Sequence, residues 1–212
     1  MICRFRDRAE AGRLLAGKLL AYANRPDVVV LALPRGGVPV AYEVAKALQC
    51  PLDVFVVRKL GVPGEEELAM GAIASGGVHV VNESVRREFG ISAAEMETVA
   101  QQETRELLRR EAAYRGDRPP LDVRGRIVIL VDDGIATGTT MRAAICALRR
   151  QHVLRLVAAA AVASRQAFDV LAEDADEMVC VSVPEDLNSI SMWFEDFRQT
   201  TDEEVNGLLC SP

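Results

Sequence analysis

The sequence has no paired cysteines, few histidines and no excess of positive charge, and each of these absences excludes a class of protein. The cysteine total is odd at five, no Cys-x-x-Cys pair occurs, and neither His79 nor His152 has a partner at metal-ligand spacing. Disulfide cross-links and a zinc site are therefore not expected, and both histidines are interpreted as structural or surface residues. This pattern fits a reducing compartment, so we expect a cytoplasmic protein.

Basic charge is lacking as well, since the net charge is −6 and the isoelectric point is about 5.1. Nonspecific binding to nucleic acid or to an anionic membrane usually requires a basic surface, so neither partner is expected. Long apolar runs are also missing: the stretch 153–163 is short and contains Arg155, and residues 1–23 are interrupted by charges. These features predict neither a membrane span nor a signal peptide.

What the sequence does contain is a set of apolar runs that alternate with amphipathic stretches. Continuous β-branched runs are typical of strands buried on both faces, and apolar residues three and four apart are typical of helices. The predicted strands are 27–33, 52–58, the run that begins at residue 126, 153–163 and 177–183, and the predicted helices are 38–48, 92–115, 139–150 and 166–173. This order predicts an α/β fold with a doubly wound, mainly parallel central sheet flanked by helices.

We expect one domain over residues 1–212, with a core at about 27–183 and additions from 1–26 and 184–212. Residues 6–23 are predicted to form a helix with an apolar stripe of Leu14, Leu15, Leu19 and Leu20. Residues 59–77 are rich in glycine and glutamate and are interpreted as a long mobile loop that includes a short apolar segment at 68–74. Residues 78–82 are predicted to be a short strand of a hairpin, and the tail ends in a helix capped near Thr201.

The stretch "RIVILVDDGIATGTT", residues 126–140, contains the strongest functional signal. An apolar strand ends at Asp132 and Asp133, and a loop rich in glycine and threonine leads into a helix. A helix N-terminus with glycines and hydroxyls favours a phosphate, whereas the two carboxylates suit a cis-diol, a hydrated Mg²⁺ or both. A ribose 5-phosphate unit satisfies both requirements. The alternative is a solvated Asp-Asp pair that ends a strand before an ordinary turn.

Two nucleotide-binding motifs do not fit this stretch. The lysine of a Walker A loop is missing, and a dinucleotide-binding loop would not be preceded by two carboxylates that repel a pyrophosphate. "VILVDDGIATGTT" instead resembles the signature of the type I phosphoribosyltransferases, which bind 5-phosphoribosyl-1-pyrophosphate (PRPP). The order of elements over 27–183 is similar throughout, and the chain most resembles a poorly characterised bacterial group of phosphoribosyltransferase-like proteins.

The resemblance implies a type I phosphoribosyltransferase fold with a small hood from the terminal segments, Mg²⁺ as cofactor and a homodimer. It implies that Asp132 and Asp133 are catalytic, hold the ribose and bind Mg²⁺ directly or through water. It implies binding of the 5-phosphate by the loop residues Gly134, Ile135, Ala136, Thr137, Gly138, Thr139 and Thr140. No covalent nucleophile is required, and Cys146 is interpreted as core packing.

A pyrophosphate site is implied at the loop "LPRGG", residues 33–37, where Arg35 supplies charge and Gly36 and Gly37 expose backbone N–H groups. The family often holds a cis peptide here, at the bond from Pro34 to Arg35. Arg58 and Lys59 end the second predicted strand and are expected to neutralise the leaving group. Residues 61–77 resemble the flexible loop that closes over PRPP, with residues 65–67 either solvated or contacting Mg²⁺ or an amine.

Two features of the sequence bear on which molecule accepts the phosphoribosyl group. Members specific for 6-oxopurines usually carry an aspartate at the position of Ala136, so alanine argues against hypoxanthine and guanine and resembles adenine or orotate members. Trp193 and Phe194 either stack on a planar base or anchor the tail to the core. Where relatives tend to show Ala-Val-Gly before this pair, the chain has Ser-Ile-Ser at 189–191, so the backbone contacts implied there do not carry over.

The sequence therefore predicts a pentosyltransferase of nucleotide salvage, a Mg²⁺-dependent enzyme that transfers the phosphoribosyl group of PRPP to a nucleobase or similar nitrogen nucleophile and releases pyrophosphate. The alternative is a regulator that binds PRPP without turning it over. Arg35, Arg58, Lys59 and a closable loop favour the enzyme, because a sensor does not need leaving-group machinery.

Overall fold

The structure, a computed structural model, describes residues 4–116 and 118–210, without the side chains of residues 66 and 67. Within these residues the chain forms eight strands and seven α-helices. The strands are β1 (Val28–Ala32), β2 (Leu52–Val54), β3 (Val57–Val62), β4 (Glu65–Ala74), β5 (Val78–Val81), β6 (Ile127–Ile135), β7 (Arg155–Ala163) and β8 (Glu177–Ser182). The helices are α1 (Arg8–Lys18), α2 (Gly37–Leu48), α3 (Glu83–Glu88), α4 (Ala93–Arg115), α5 (Thr139–Arg150), α6 (Arg165–Asp174) and α7 (Asp202–Cys210).

Five strands form a parallel sheet in the order β2-β1-β6-β7-β8. The strands are continuous apolar runs because helices cover both faces. Along β1, Val28 and Val30 join a core that includes residues of α1, α2, α4 and α7, whereas Val29 and Leu31 join one that includes residues of α5 and α6. The predicted doubly wound, parallel sheet flanked by helices is confirmed.

The register of the sheet brings together two loops that the sequence separates by about a hundred residues. Ala32, the last residue of β1, lies opposite Val131 of β6. Leu33 then donates its backbone N–H to the carbonyl oxygen of Val131 over 2.9 Å. The loop after β1 therefore begins directly beside Asp132.

A second, antiparallel sheet of β3, β4 and β5 replaces the predicted mobile loop, and that prediction is wrong. The chain turns at residues 63–64, where Gly64 has φ +85, and turns again at Gly76 and Gly77, with φ +84 and +72. These glycines adopt left-handed conformations at low steric cost, so they form the hairpin turns of this sheet. Closure of residues 61–77 over a ligand stays a prediction. The predicted strand 52–58 is confirmed in part: residues 52–54 form β2 of the parallel sheet, whereas residues 57 and 58 belong to β3.

The predicted helices are confirmed, except that the first helix of the chain is shorter than predicted. Ser92 and Glu95 form a reciprocal capping box at the start of α4. At the other terminus, the hydroxyl of Thr201 accepts the N–H of Glu204, so the predicted cap of the last helix is confirmed. The predicted leucine stripe is only half buried: α1 ends at Lys18, and Leu15 and Leu19 are enclosed whereas Leu14 and Leu20 are exposed.

The two terminal segments pack together above the carboxyl end of β7. Phe5 donates its backbone N–H to Trp193 over 2.8 Å, and its carbonyl accepts from Glu195 over 2.8 Å. A buried apolar cluster encloses this contact and consists of Phe5, Ala11, Ala161, Val162, Leu187, Trp193 and Phe194. We call these segments, residues 4–8 and 187–198, the hood. None of the helices within the described residues has the length and hydrophobicity that a membrane span requires.

Candidate active site

The two aspartates of the predicted motif lie inside β6, which continues to Ile135. Asp133 is buried and Asp132 is half-buried, and the Oδ1 atom of Asp132 accepts the backbone N–H of Asp133 over 2.8 Å. Burial raises the pKa of the Asp132 carboxyl well above its usual range, and the adjacent Asp133 carboxylate raises it further. Two acidic groups are thus held side by side at the carboxyl edge of the sheet, where open α/β sheets bind ligands.

The loop after β1 touches the acidic pair. A Cβ atom added to Gly36 would lie 2.2 Å from Oδ2 of Asp133, and one added to Gly37 would lie 2.7 Å from the carbonyl oxygen of Val131. Glycine is therefore required at both positions by close approach. The peptide bond between Pro34 and Arg35 is cis, as the resemblance implies.

Other features of this loop differ from the expectation. The N–H of Gly37 closes the turn on the carbonyl of Leu33 over 3.1 Å, so this donor is already used. The guanidinium of Arg35 lies 3.6 Å from the carboxylate of Asp202, the first residue of α7. An anion binding at this loop would therefore compete with an existing ion pair for Arg35.

The predicted phosphate loop leads from β6 into α5 and is exposed from Ala136 to Thr140, apart from the half-buried Gly138. Gly138 has φ +76 and occupies the N-cap position, where it has no side chain to cap α5. The N–H of Thr139, the first residue of α5, donates to the hydroxyl of Thr137 over 3.5 Å. The hydroxyls of Thr137 and Thr139 lie 3.2 Å apart, and the carbonyl of Ala136 accepts from the hydroxyl of Ser164 over 2.7 Å. The loop combines a helix N-terminus with exposed hydroxyls, as a phosphate site requires.

A groove with a volume of about 1090 Å³ opens from this loop. Its walls include Thr137–Thr140 on one side and Lys59 of β3, with parts of β4, β5 and α3, on the other. Arg58 is oriented differently: its guanidinium pairs with Glu103 of α4 at 2.7 Å. Successive side chains of a strand point to opposite faces. The structure therefore separates Arg58 from Lys59, although the sequence predicts that both neutralise the leaving group.

The hood covers the start of the phosphate loop. A Cβ atom on Gly134 would lie 2.4 Å from Cγ2 of Ile190, so this hood residue rests directly on the backbone of the loop. Trp193 and Phe194 are buried in the hood cluster, with 8% and 3% of their surface exposed. Of the two roles considered for this aromatic pair, anchoring the tail fits its burial, whereas stacking on a base would require an exposed ring face.

The sequence interpretation missed Arg8, the first residue of α1. Its Nε atom donates to Oδ2 of Asp133 over 2.7 Å, and the two side chains are only 11% and 12% exposed. The partners are 125 residues apart, and Arg8 lies in a segment where several arginines alternate with acids. No local pattern in the sequence distinguishes it from its charged neighbours.

Comparison with known proteins agrees with this geometry. The family model described as "Phosphoribosyl transferase domain" matches residues 6–197. A Mycobacterium tuberculosis (strain H37Rv) protein named "Putative phosphoribosyl transferase" is 45% identical over 205 residues, which are 97% of this chain and 46% of that protein. Its counterpart in strain CDC 1551 gives the same values. The chain therefore spans about half the length of these curated relatives.

Solved structures share the fold. The protein TT1426 from Thermus thermophilus is 42% identical, with a TM-score of 0.87 over 97% of each chain. The purine phosphoribosyltransferase from Pyrococcus horikoshii has a TM-score of 0.50 at 18% identity, over 92% of this chain and 90% of that one, and so shares the fold. Together with the family match over 6–197, these relations establish that the chain belongs to the phosphoribosyl transferase family.

Proposed function

We propose that the chain is a Mg²⁺-dependent phosphoribosyltransferase that transfers the 5-phosphoribosyl group of PRPP to a nitrogen nucleophile such as a nucleobase. The observation that supports this most directly is the contact of Gly36 with Asp133. It joins the loop suited to pyrophosphate to the carboxylates suited to a ribose diol, and the phosphate loop follows on the same strand. PRPP carries these three groups in this order.

The reaction needs positioning and charge stabilisation more than it needs a covalent nucleophile. The acceptor nitrogen attacks the anomeric carbon while the bond from that carbon to the pyrophosphate oxygen breaks. In our proposal the phosphate loop (134–140) holds the 5-phosphate, and Asp132 and Asp133 accept hydrogen bonds from the ribose hydroxyls. Their negative charge lies close to the positive charge that develops on the ribose ring, which lowers the barrier.

The acidic pair fits a magnesium ion that arrives with the substrate better than a permanent metal site. Among the described residues, no group of three or more histidine, cysteine or acidic side chains could form a metal cage. Mg²⁺ usually keeps several waters and uses one or two protein carboxylates together with substrate phosphates, and Asp132 and Asp133 suit that arrangement. When bound, the ion neutralises charge on the leaving pyrophosphate.

A second candidate is a PRPP-binding regulator that does not catalyse transfer. The ion pairs of Arg35 with Asp202 and of Arg58 with Glu103 favour it, because both arginines assigned to the leaving group already have acidic partners. The enzyme remains our proposal, since binding of a polyanion can displace the half-exposed Asp202 from Arg35 at small cost.

The acceptor is proposed to be a base other than hypoxanthine or guanine, because Ala136 provides no carboxylate for the proton of a 6-oxopurine. The test is pyrophosphate release from Mg·PRPP with adenine, guanine, hypoxanthine, xanthine, uracil, orotate and simple amines. Base-dependent release would establish the transferase and identify its acceptor. Turnover of hypoxanthine above background would refute the assignment from Ala136. PRPP binding without release for any acceptor would favour the regulator.

The role of the acidic pair can be tested separately by the double substitution Asp132→Asn with Asp133→Asn. We expect loss of Mg·PRPP binding in isothermal titration calorimetry. The matched control is Asp27→Asn with Asp169→Asn, which removes the same charge far along the chain from the motif and should bind like the wild type. Equal affinity of the two double variants would show that the pair does not contact PRPP.

We also propose a cytoplasmic homodimer, on the basis of the family resemblance. Light scattering coupled to size-exclusion chromatography tests the dimer directly. A mass near 23.1 kDa would indicate a monomer and would contradict this part of the proposal.

A further inference from the structure

We propose that Arg8 is a positioning residue of the active site, which orients Asp133 so that one defined carboxylate oxygen is presented to the ribose of PRPP. This inference rests on the proposed function, because it concerns how the acidic pair meets that substrate. Arg8 belongs to the hood and not to the phosphoribosyl-binding motif. The inference therefore makes the binding of PRPP depend on the N-terminal segment.

Oδ2 of Asp133 is enclosed from two directions. Arg8 donates to it from Nε over 2.7 Å, and the backbone of Gly36 approaches so closely that a Cβ there would lie 2.2 Å away. The hydrogen bond from Arg8 falls on Oδ2 and not on Oδ1. The carboxylate is thus held through Oδ2, and in our proposal Oδ1 is the oxygen that accepts a ligand hydroxyl.

Arg8 is itself fixed by two further contacts, so it can act as a rigid support. Its Nη1 atom donates to the carbonyl of Arg198 over 2.7 Å, and its guanidinium carbon lies 4.0 Å from the centre of the Phe197 ring. A planar guanidinium can make a hydrogen bond at each side while it stacks on an aromatic ring. A lysine ammonium keeps the charge but cannot reproduce this geometry.

The charge of Arg8 has a second consequence. Two adjacent carboxylates repel a polyanion, and the cation at Asp133 removes part of that repulsion where the pyrophosphate loop meets the acidic pair. Loss of Arg8 should therefore weaken PRPP binding through charge and slow transfer through misorientation of Asp133. If Arg8 only held the hood in place, its loss would lower the free energy of unfolding and leave PRPP binding and kcat unchanged.

The test is a double-mutant cycle with Arg8→Gln, Asp133→Asn and both together, with Kd for Mg·PRPP from calorimetry and kcat and KM on the best acceptor. Arg8→Gln is expected to lower kcat/KM by about 10- to 100-fold, the usual effect of removing a group that orients a ligand. In the Asp133→Asn background the same change should have little further effect on kcat, because the carboxylate that Arg8 orients is gone, whereas the loss of its positive charge should still raise the Kd for PRPP. Arg8→Lys should restore the Kd for PRPP more fully than kcat.

The matched control is Arg13→Gln on the same helix, where Arg13 forms an exposed pair with Glu43 at 3.2 Å. It should behave like the wild type in binding and turnover. Additive losses of kcat in the cycle, wild-type kinetics of Arg8→Gln, or full rescue of kcat by lysine would each overturn the inference while PRPP binding by the wild type stands. Absence of PRPP binding in the wild type would instead overturn the proposed function, and the inference with it.

Discussion

Two buried arginine–aspartate pairs in this molecule look alike but have different surroundings. Arg115 and Asp53 lie 2.9 Å apart with side chains 7% and 9% exposed, and Arg8 and Asp133 lie 2.7 Å apart with 11% and 12% exposed. Distance and burial alone would assign both the same role. The difference lies in how completely each carboxylate is hydrogen-bonded.

The Asp53 carboxylate is surrounded by donors. Besides Arg115, it accepts the backbone N–H groups of Val54 and Leu121, over 2.7 and 3.2 Å, and Arg115 also binds Glu111. This network ties the edge strand β2 to the end of α4. The Asp133 carboxylate has Arg8 as its donor among the described residues and lies against a glycine loop. A saturated pair stabilises a fold, whereas an unsaturated one can accept a ligand.

The largest expected effect is on stability, from Asp53→Ala. Removing one partner of a buried pair leaves an uncompensated charge, so the free energy of unfolding should fall by about 3–5 kcal/mol. Urea unfolding followed by circular dichroism measures this fall. In Asp133→Ala the free energy of unfolding should fall clearly less, because the Asp133 carboxylate makes fewer hydrogen bonds within the fold. Equal losses in the two variants would remove the distinction between the pairs.

A smaller effect is expected from Gly36→Ala, which adds a methyl group against the Asp133 carboxylate. Because Arg8 holds that carboxylate, it cannot move aside freely, and the overpacking should lower the free energy of unfolding by about 1–3 kcal/mol. The methyl group also displaces the carboxylate from the position proposed to meet the ribose, so Mg·PRPP binding should weaken. Calorimetry gives the affinity. Gly17→Ala is the control: nothing lies within 4 Å of its added Cβ, and within α1 it should raise stability by up to about 1 kcal/mol. Unchanged affinity of Gly36→Ala would show that the loop after β1 moves away from Asp133 when PRPP binds.

The contrast between the two pairs also explains what the sequence could predict. Helix α5 has its predicted limits, and the glycine- and threonine-rich loop precedes it as predicted, although β6 continues two residues beyond the aspartates, to Ile135. A buried strand, two glycines, threonines and a helix follow one another within this single segment. The sequence predicts the parallel sheet because its central strands β1, β6 and β7 contain long apolar runs. In both cases the determining interactions are local or follow from burial on both faces.

Features that depend on distant partners were missed. The short strand at 78–82 is confirmed as β5, but the sequence predicts a loop in place of β3 and β4. Strand β4 begins with glutamates and contains Gly71, which has to be small because Val80 of β5 passes close by. Arg58 was assigned to pyrophosphate because its partner Glu103 lies in another element. Arg8 was overlooked for the same reason. Which charge meets which partner is decided by tertiary packing and leaves no periodic signal.

The pH dependence of stability should distinguish Asp132 from an ordinary aspartate. Its pKa is raised by burial and by Asp133, so the folded protein keeps the proton to higher pH than the unfolded chain. Stability is therefore lost as the pH rises from the unfolded pKa, about 4, through the folded pKa. Asp132→Asn should be more stable than the wild type at pH 7 and similar below pH 4, in urea unfolding with a chelator present.

Asp27 serves as the control for this prediction, because its pKa is shifted in the opposite direction. The hydrogen bond from Arg25 lowers the pKa of Asp27, so this carboxylate contributes stability above the unfolded pKa that is lost as the pH falls. Asp27→Asn should therefore not gain stability at pH 7. A gain in both variants would mean that general charge reduction, and not burial of Asp132, is responsible.

The smallest effect is expected at a third arginine–aspartate pair, which is exposed. Arg35 and Asp202 lie 3.6 Å apart with side chains 35% and 47% exposed, and such pairs contribute at most about 1 kcal/mol. Asp202→Asn should release Arg35 to the pyrophosphate and tighten Mg·PRPP binding by no more than about fivefold. The amide can still accept the hydroxyl of Tyr114, so α7 should stay in place. Glu203→Gln changes the same charge one residue further along the helix and should leave the affinity unchanged. Weaker binding in Asp202→Asn would mean that the pair orients Arg35 for the pyrophosphate, in which case an exposed pair would act as we propose for Arg8.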